Sequence, residues 1–541
     1  MKSLSLAVGI SLLLFLAGCA SNNNHTPPPP SQYTISGTVA DLAAGSGGVV
    51  LQDNGADNLT VAANGNFVFA TKIASGSAYS VTVMTQPASP AQQCTVANGS
   101  GTATTNVSNI KVECGHNEWA WMTGTQSINQ IGTYGTLGTR AAANTPGGRQ
   151  FPATWTDSSG NLWMFGGYGY DSNNNLMPMS DLWEFSAGQW TWMGGPTLTG
   201  QSGNYGSLGV ATTYGIPGAR FQPASWTDAS GNLWLFGGNG FDSVGNESPM
   251  NDLWKYSGGE WTWVGGSSVG KQNGHYGTLG VADASNEPGG RCSMAMWKDS
   301  SGDIWVFGGL GYDAANPTNG SLNDLWKYSG GVWTWMGGAT AQAQKGVYGT
   351  KGVAAATNIP GAREDAYNWV DSSGNLWLFG GLGYDSTGTS GYLNDLWKYS
   401  GGQWTWVGGS NVVSQPGIYG TKGTASANNV PGARWAGITW VDAAGNAWLF
   451  GGTGFYAGSS VGFLNDLWEY SSGQWTWVSG ANTAGQNSTG TEGTLAPGNT
   501  PGSRVFLNGW VDANENLWLF GGYGQVPGAN GNLNDLWMYM P

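Results

Sequence analysis

The sequence has little charge and very little histidine. Of 541 residues, 18 are Lys or Arg, 32 are Asp or Glu and three are His, which gives a formal net charge of −14. Nucleic acids and anionic membrane surfaces bind basic protein surfaces, so this composition disfavours both as partners. With 93 glycines and 31 tryptophans, the surface is expected to be neutral and hydrogen-bonding, which suits sugars or other proteins.

Long apolar runs and helical periodicity are also scarce. The apolar run from Leu4 to Leu16 is too short to span a bilayer comfortably and has the form of a signal peptide. Beyond residue 118, aromatic and branched residues occur in short runs between turn residues, and no run has the length or period of an amphipathic helix. The sequence therefore predicts an all-β chain.

A repeat of about 71 residues organises the chain from Trp119 to its end. Each copy contains the motif Leu-Trp-Leu-Phe-Gly-Gly or a close variant. There are six copies, and the tryptophans of successive copies are 71, 71, 72, 71 and 70 residues apart. The tryptophans of this motif are Trp163, Trp234, Trp305, Trp377, Trp448 and Trp518. Such a strict period indicates a repeat architecture.

Each copy contains four short strand-like runs. In the fourth copy they are 365–370, 375–379, 396–399 and 404–407, and four antiparallel strands per unit predict the blades of a β-propeller. The sixth copy ends one strand short at Pro541, whereas Glu118 to Met122 stands alone before the first. Pairing these two segments would leave no open sheet edge. We therefore expect residues 116–541 to form a six-bladed propeller closed by the N-terminal outer strand.

Three features of the unit resemble kelch repeats, the type also found in the galactose oxidase propeller. They are the hydrophobic run ending in Gly-Gly, the later Trp-x-Tyr, and the Trp-Thr-Trp strand. The unit is longer than the roughly 50 residues of a kelch repeat, and the excess lies in two long loops. These loops follow the second and fourth strands and are expected to emerge on one face, where binding residues usually lie.

The resemblance to galactose oxidase does not extend to its copper site. That site needs two histidines, two tyrosines and a cysteine, whereas this chain has only His25, His116 and His275. Zinc chemistry is disfavoured by the same shortage. We carry over no catalytic residue and expect no metal and no cofactor.

A glycosidase would need two facing carboxylates. Glu364 and Asp365 are adjacent in a predicted strand, and neighbouring strand residues point to opposite faces. They are therefore not expected to share a substrate, although carboxylates from different loops are not excluded.

Candidate binding residues lie at the start of each first strand, which lines the channel of a propeller. The Pro-Gly-x-Arg motif and its variants give Arg149, Arg220, Arg291, Arg363, Arg434 and Arg504. Six guanidiniums could bind a carboxylate or phosphate; alternatively, each pairs locally with an aspartate such as Asp395. Glu364 and Trp435 occupy the variable next position, and Trp435 is the one tryptophan outside the five repeated positions.

The long loops carry two further recurring residue types. Tyrosines stand 15 residues before the arginine in five copies, at Tyr134, Tyr205, Tyr276, Tyr348 and Tyr419, and Thr489 replaces tyrosine in the sixth. Aspartates follow Gly-Tyr or Gly-Phe in four copies, at Asp171, Asp242, Asp313 and Asp385. Calcium ligation by these aspartates is an alternative to a simple turn role.

The N-terminus predicts export and lipidation. Residues 1–18 form the predicted signal peptide, and Leu16-Ala-Gly-Cys19 is similar to the lipobox of bacterial lipoproteins, which implies lipidation of Cys19. Ala20 is not aspartate, which by the same resemblance favours the outer membrane. Residues 19–32, with four prolines from Pro27 to Pro30, predict a solvated spacer.

Residues 33–115 form a separate unit without the 71-residue period. Its short alternating runs predict a small β-sandwich, which resembles the Ig-like or carboxypeptidase-regulatory-like modules of bacterial surface proteins. Cys94 and Cys114 lie in this unit and are expected to form a disulfide, whereas Cys292 is expected to be buried and inert.

Together these observations predict a monomeric, lipid-anchored binding protein of the bacterial cell envelope, most simply at the outer membrane. Its propeller would present a loop-rich face to a glycan or protein partner, with contact to the membrane through the lipid alone. One alternative is a polysaccharide hydrolase or lyase that uses loop carboxylates. Another is a non-catalytic cell-envelope scaffold.

Overall fold

The computed structural model describes residues 31–42, 47–87, 92, 94–114, 118–442, 444–496, 498–512 and 515–541. Every regular element in these ranges is a β-strand, so the all-β prediction is confirmed. The same ranges contain no helix that has the length and hydrophobicity to cross a membrane. The predicted signal peptide, Cys19 and the spacer up to Pro30 lie outside the described residues.

The N-terminal unit contains two four-stranded sheets that enclose one core. The first sheet has the order Gly65–Val68, Ile35–Ala40, Val107–Cys114, Cys94–Ala97, and the second has the order Asp57–Val61, Val49–Asp53, Ala78–Thr85, Ser100–Thr102. A short pair, Gln32–Tyr33 and Ile73–Ala74, lies beside them. Buried side chains from both sheets, including Ile35, Leu51, Val81 and Ile110, form the core.

Each of the six repeats has four antiparallel strand positions, which form one sheet in the first, third and fourth repeats and are divided between two sheets in the second, fifth and sixth. The first repeat has Arg149–Gln150, Ala153–Thr156, Leu162–Tyr170, Leu176–Ser186 and Gln189–Gly194. The second has Arg220–Phe221, Ala224–Thr227, Leu233–Phe236, Asn239–Phe241, Glu247–Pro249, Leu253–Ser257 and Glu260–Gly265. The third has Arg291–Cys292, Ala295–Lys298, Ile304–Gly311, Gly320–Ser329 and Val332–Gly337.

The remaining three repeats follow the same plan. The fourth has Arg363–Glu364, Tyr367–Val370, Leu376–Tyr384, Ser390–Ser400 and Gln403–Gly408. The fifth has Arg434–Trp435, Ile438–Val441, Ala447–Phe450, Thr453–Phe455, Val461–Phe463, Leu467–Ser471 and Gln474–Ser479. The sixth has Leu495–Ala496, Arg504–Val505, Asn508–Val511, Leu517–Phe520, Tyr523–Val526, Ala529–Asn532 and Leu536–Met540.

The N-terminal strand Glu118–Thr123 lies in the sheet of the sixth repeat. It pairs antiparallel with Leu536–Met540, with Glu118 opposite Met540 and Thr123 opposite Leu536. This is the position that the fourth strand has in the other repeats. The inner strand of each repeat contacts the inner strand of the next, and Asn508–Val511 of the sixth contacts Ala153–Thr156 of the first. The architecture is β-propeller-like.

The repeated tryptophans pack within and between sheets. Trp163 Nε1 donates to Asp157 Oδ2 of the first hairpin at 2.9 Å, an interaction that recurs in all six repeats. Trp155 Nε1 donates to the carbonyl of Trp234 in the next repeat at 2.8 Å. Hydrogen-bonded indoles bury a large apolar area without leaving their N–H unpaired, which stabilises the contact between sheets.

The long loop before each repeat covers the outer strand of that repeat. In the second repeat, Gly209 N donates to the carbonyl of Trp263 at 2.8 Å, and Thr212 forms a bridge with Trp261. An uncovered outer strand would offer unpaired N–H and C=O groups to other chains. The length beyond an ordinary kelch repeat therefore serves, in this loop, to protect a sheet edge.

Candidate functional site

Each recurring arginine is buried and bound to an aspartate of its own repeat. Arg363 Nη1 and Nη2 donate to the two carboxylate oxygens of Asp395 at 2.7 and 2.8 Å. Its Nε and Nη1 also donate to the carbonyls of Gly361 and Gly380. The six pairs are Arg149–Asp181, Arg220–Asp252, Arg291–Asp324, Arg363–Asp395, Arg434–Asp466 and Arg504–Asp535, with side chains 0–1% exposed. Of the two alternatives, the structure shows local pairing with an aspartate, and the candidate role of the six arginines in ligand binding is corrected because their guanidiniums are buried and already bound.

The recurring loop tyrosines belong to the same buried network. Tyr348 Oη donates to Asp395 Oδ2 at 2.7 Å, and Trp397 Nε1 donates to the same oxygen at 2.7 Å. Tyr134, Tyr205, Tyr276 and Tyr419 make the equivalent bond in their own repeats. These side chains are 5–7% exposed, so they are not available to a partner on the loop face. In the sixth repeat, Ser488 Oγ accepts instead from Arg504 Nη2 at 3.2 Å.

Replacing Tyr348 by phenylalanine is expected to lower the free energy of unfolding by about 1.5–3 kcal/mol, because a hydrogen bond to a buried charged group is lost. Denaturant unfolding at pH 7 measures this. Tyr384→Phe is the matched control, since the Tyr384 hydroxyl has no hydrogen-bond partner among the described residues. Equal unfolding midpoints for the two variants would contradict a stabilising role for the Tyr348 hydroxyl.

The loop aspartates close their own loops. Asp385 Oδ1 accepts from the backbone N–H groups of Thr387 and Thr389 at 2.8 and 3.0 Å, and Oδ2 accepts from Val413 N at 3.2 Å. Asp171, Asp242 and Asp313 accept comparable backbone bonds. Over the described ranges, no group of three or more His, Cys, Asp or Glu side chains could hold a metal ion. The loop hydrogen bonds account for these aspartates without a bound ion.

Six residues, one from each repeat, form a ring of backbone hydrogen bonds, here called the axial ring. Each stands two positions after its arginine, has a φ between 48° and 62°, and donates its N–H to the carbonyl of the ring residue in the preceding repeat. The donor to acceptor distances lie between 2.8 and 3.2 Å, and Phe151 of the first repeat donates to Phe506 of the sixth. The members are Phe151, Gln222, Ser293, Asp365, Ala436 and Phe506.

A cavity of about 370 Å³, here called the axial pocket, lies against this ring. Its position beside the arginine end of each first strand places it on the side of the long loops. The lining residues are Gln150, Phe151, Tyr168, Phe221, Gln222, Ser293, Leu310, Glu364, Asp365, Trp435 and Phe506. A second cavity of about 130 Å³ lies against the ring together with Pro223, Met294, Ala366, Gly437 and Leu507, further along the inner strands. The volume of the axial pocket falls in the range of about 300–1,000 Å³ that is usual for ligand sites.

Trp435 forms one wall of the axial pocket. Its ring stacks near Tyr392 at 6.3 Å and meets Phe506 edge to face at 5.5 Å. Its Nε1 is buried and has no hydrogen-bond partner among the described residues. A buried indole N–H usually finds an acceptor, so Trp435 is an exception, as are Trp119 and Trp190.

Glu364 and Asp365 both line the axial pocket. Gln222 Nε2 donates to the two Asp365 oxygens at 3.3 and 3.1 Å. Burial, followed by the nearby Glu364 charge, raises the pKa of Asp365 well above its ordinary value. Burial also raises the pKa of Glu364 to about 7. Perturbed carboxyls in a cavity are typical of functional sites.

The prediction that Glu364 and Asp365 cannot share a site is wrong. The two residues do not lie in one strand, because the strand Arg363–Glu364 ends at Glu364 and the next strand is Tyr367–Val370. Asp365 between them has a φ of 48°, which is the left-handed region and breaks the alternation of an extended strand. The two neighbouring side chains consequently share one cavity.

The cysteines occupy three different settings. Cys94 and Cys114 form a disulfide in the N-terminal unit. Cys292 is free and buried, and burial, followed by the charges of Asp365 and Glu364, raises the pKa of its thiol. A thiol of raised pKa is a poor nucleophile at neutral pH. Cys19 lies outside the described residues.

The axial ring is the feature that the sequence pattern did not reveal. Its members have no residue type in common, so they carry no motif. A signal was nevertheless present, because the second position after each arginine varies from Phe to Asp within an otherwise constant frame. Variable residues on a rigid scaffold are candidates for binding.

No protein-family model matches the chain, and no curated protein matches it in sequence. Three solved structures are similar to it. The structure of YjhT is 14% identical with a TM-score of 0.42, over 72% of this chain and 95% of that one. A fungal alcohol oxidase of the AA5 family, in complex with copper, is 14% identical with a TM-score of 0.39, over 76% and 77%. A protein of unknown function from Dyadobacter fermentans is 11% identical with a TM-score of 0.40, over 78% and 97%.

Proposed function

We propose that this chain is a lipid-anchored binding protein of the bacterial cell envelope, and that its axial pocket binds a glycan unit. The propeller in this proposal has six kelch-type blades and is closed by the N-terminal outer strand. Two observations support that closure: the pairing of Glu118–Thr123 with Leu536–Met540 and the unbroken axial ring. The membrane anchor is the lipid on Cys19.

The observation that carries the glycan proposal is the composition of the axial pocket. Aromatic rings and hydrogen-bonding side chains converge there: Trp435, Phe221 and Tyr168 stand near Gln150 and Gln222. Sugar rings have apolar faces that pack on aromatic rings, and hydroxyl groups that bond to amide and carboxyl side chains.

The experiment is a glycan-array screen of the full-length chain in mild detergent, compared with Trp435→Ala. We expect saturable binding of one sugar class and at least a tenfold loss of affinity, about 1.4 kcal/mol, in the variant. Tyr214→Ala is the control, because Tyr214 is an aromatic residue 80% exposed on an outer loop. Binding that survives Trp435→Ala would place the sugar site elsewhere, and no binding to any glycan would refute the proposal.

A second candidate function is cleavage of a polysaccharide, by hydrolysis or by the elimination reaction of a lyase. It is favoured by one observation: Glu364 and Asp365 line the same pocket and have raised pKa values. Glycosidases use two carboxyl groups that flank the bond they cleave, one of them protonated as a general acid. Release of reducing ends from a bound polysaccharide, abolished by Glu364→Gln with binding retained, would support catalysis. Binding without any cleavage would refute it.

A further inference from the structure

The axial pocket contains acidic groups and no basic group. Of its eleven lining residues, Glu364 and Asp365 are the charged ones, and none is Lys, Arg or His. Arg363 precedes Glu364 in the sequence, and Arg434 precedes Trp435. The guanidinium of each arginine is bound at two points to its own aspartate. A negative charge on either carboxyl would therefore have no cationic side chain in the pocket to balance it.

The two carboxyls also retain free hydrogen-bonding capacity. Asp365 accepts from the Gln222 amide and the Ser293 hydroxyl, although an ionised carboxylate can accept about four hydrogen bonds. The carboxyl group of Glu364 has no hydrogen-bond partner within the described ranges. A ligand with several N–H donors would satisfy oxygens that the protein leaves unpaired.

The remaining walls are attractive to a cation. Five aromatic rings line the pocket, and several are in contact: the Phe151 and Phe506 centroids are 4.4 Å apart, and those of Tyr168 and Phe221 are 5.5 Å apart. Aromatic faces attract ammonium groups electrostatically, most strongly where water is excluded. Carboxyls beside such faces form a site that recognises positive charge on nitrogen.

We propose that the axial pocket binds a positively charged nitrogen of its ligand, held by the Glu364 and Asp365 carboxylates and by the surrounding aromatic faces. For a glycan, the ligand is then a sugar with a free amino group rather than an acetylated one. This inference rests on the proposed glycan-binding function for the sugar part of the ligand. The aromatic rings that line the pocket account for that part, because the apolar faces of sugar rings pack on them.

The raised pKa values of Glu364 and Asp365 are consistent with this role. Their cause is burial, which disfavours a carboxylate that lacks a counter-charge. A bound ammonium group supplies the counter-charge, so the carboxyls release protons when the ligand enters.

The test compares three probes by titration calorimetry at pH 7 with the full-length chain in mild detergent. They are the trisaccharide of glucosamine, the trisaccharide of N-acetylglucosamine, and tetramethylammonium. We expect the amino trisaccharide to bind at least tenfold more tightly than its acetylated counterpart. Glu364→Gln should lower the affinity for the amino trisaccharide at least tenfold. Glu247→Gln removes an exposed carboxyl at the start of the strand Glu247–Pro249 and should leave that affinity unchanged.

The outcomes separate this inference from the glycan proposal. Equal binding of both trisaccharides would overturn the inference and leave the glycan proposal standing. Binding of tetramethylammonium alone, lost in Glu364→Gln, would support the cation site and refute glycan binding. Binding of none of the probes, or a preference for the acetylated sugar, would overturn the inference. If Glu364→Gln does not fold, as judged by its thermal unfolding, Asp365→Asn replaces it in the same comparison.

Discussion

Replacing Asp395 by alanine is expected to lower the free energy of unfolding by about 3–5 kcal/mol, because it leaves a buried guanidinium without its partner. Asp395 is 0% exposed and accepts hydrogen bonds from Arg363, Tyr348 and Trp397. All of these donors would lose their acceptor at once. Denaturant unfolding, followed by tryptophan fluorescence, measures the loss.

Two companion variants separate charge from packing. Asp283→Ala removes an exposed loop carboxyl and should change the free energy of unfolding by less than about 0.5 kcal/mol. The double variant Arg363→Leu with Asp395→Leu should cost less than Asp395→Ala alone, since replacing both members of a buried ion pair leaves no unpaired charge. A loss of under about 1 kcal/mol for Asp395→Ala would contradict the assignment of the arginine–aspartate pairs to the frame.

The repeated part of the fold could be predicted because its signals are local. Alternating strands, Asp-Ser-Ser-Gly and Ser-Gly-Gly turns, and five tryptophans at fixed places recur in the sequence. Each has its own physical cause, such as the Asp157 carboxylate that fixes both its hairpin and the Trp163 indole. The unpaired segment Glu118 to Met122 was equally informative, and it does pair with the last strand.

The site was less predictable because its decisive features are not local. The sequence allowed each arginine either to bind a ligand or to pair with an aspartate of its own repeat, and only the structure shows that an aspartate 31 to 33 residues later binds it at both Nη atoms. Tyr348 could not be recognised as buried, since loop tyrosines are usually partly exposed. The left-handed backbone of Asp365 depends on hydrogen bonds to neighbouring repeats, which no strand pattern contains. Glu364 and Trp435 could be singled out because they occupy the position after the arginine, which varies between repeats whose other positions are nearly constant.

Replacing Glu364 by glutamine is expected to make the fold more stable at alkaline pH. The pKa of Glu364 is about 7 in the folded chain, above its ordinary value of 4.5, so the folded state retains a proton that the unfolded state releases between these values. Stability conferred by that proton is fully present below pH 4.5 and is lost as the pH rises to about 7. Glutamine does not ionise and escapes this loss.

The free energy of unfolding of the variant, relative to that of the natural chain, should rise by about 2 kcal/mol from pH 4.5 to pH 8, once the partial exposure of Glu364 is allowed for. The measurement is the difference in free energy of unfolding between the two proteins at several pH values. A pH-independent offset from the substitution itself cancels in this comparison. Asp365 contributes to the pH dependence of both proteins. A difference that does not change with pH would mean that the axial pocket does not hold Glu364 in an environment that disfavours its charge.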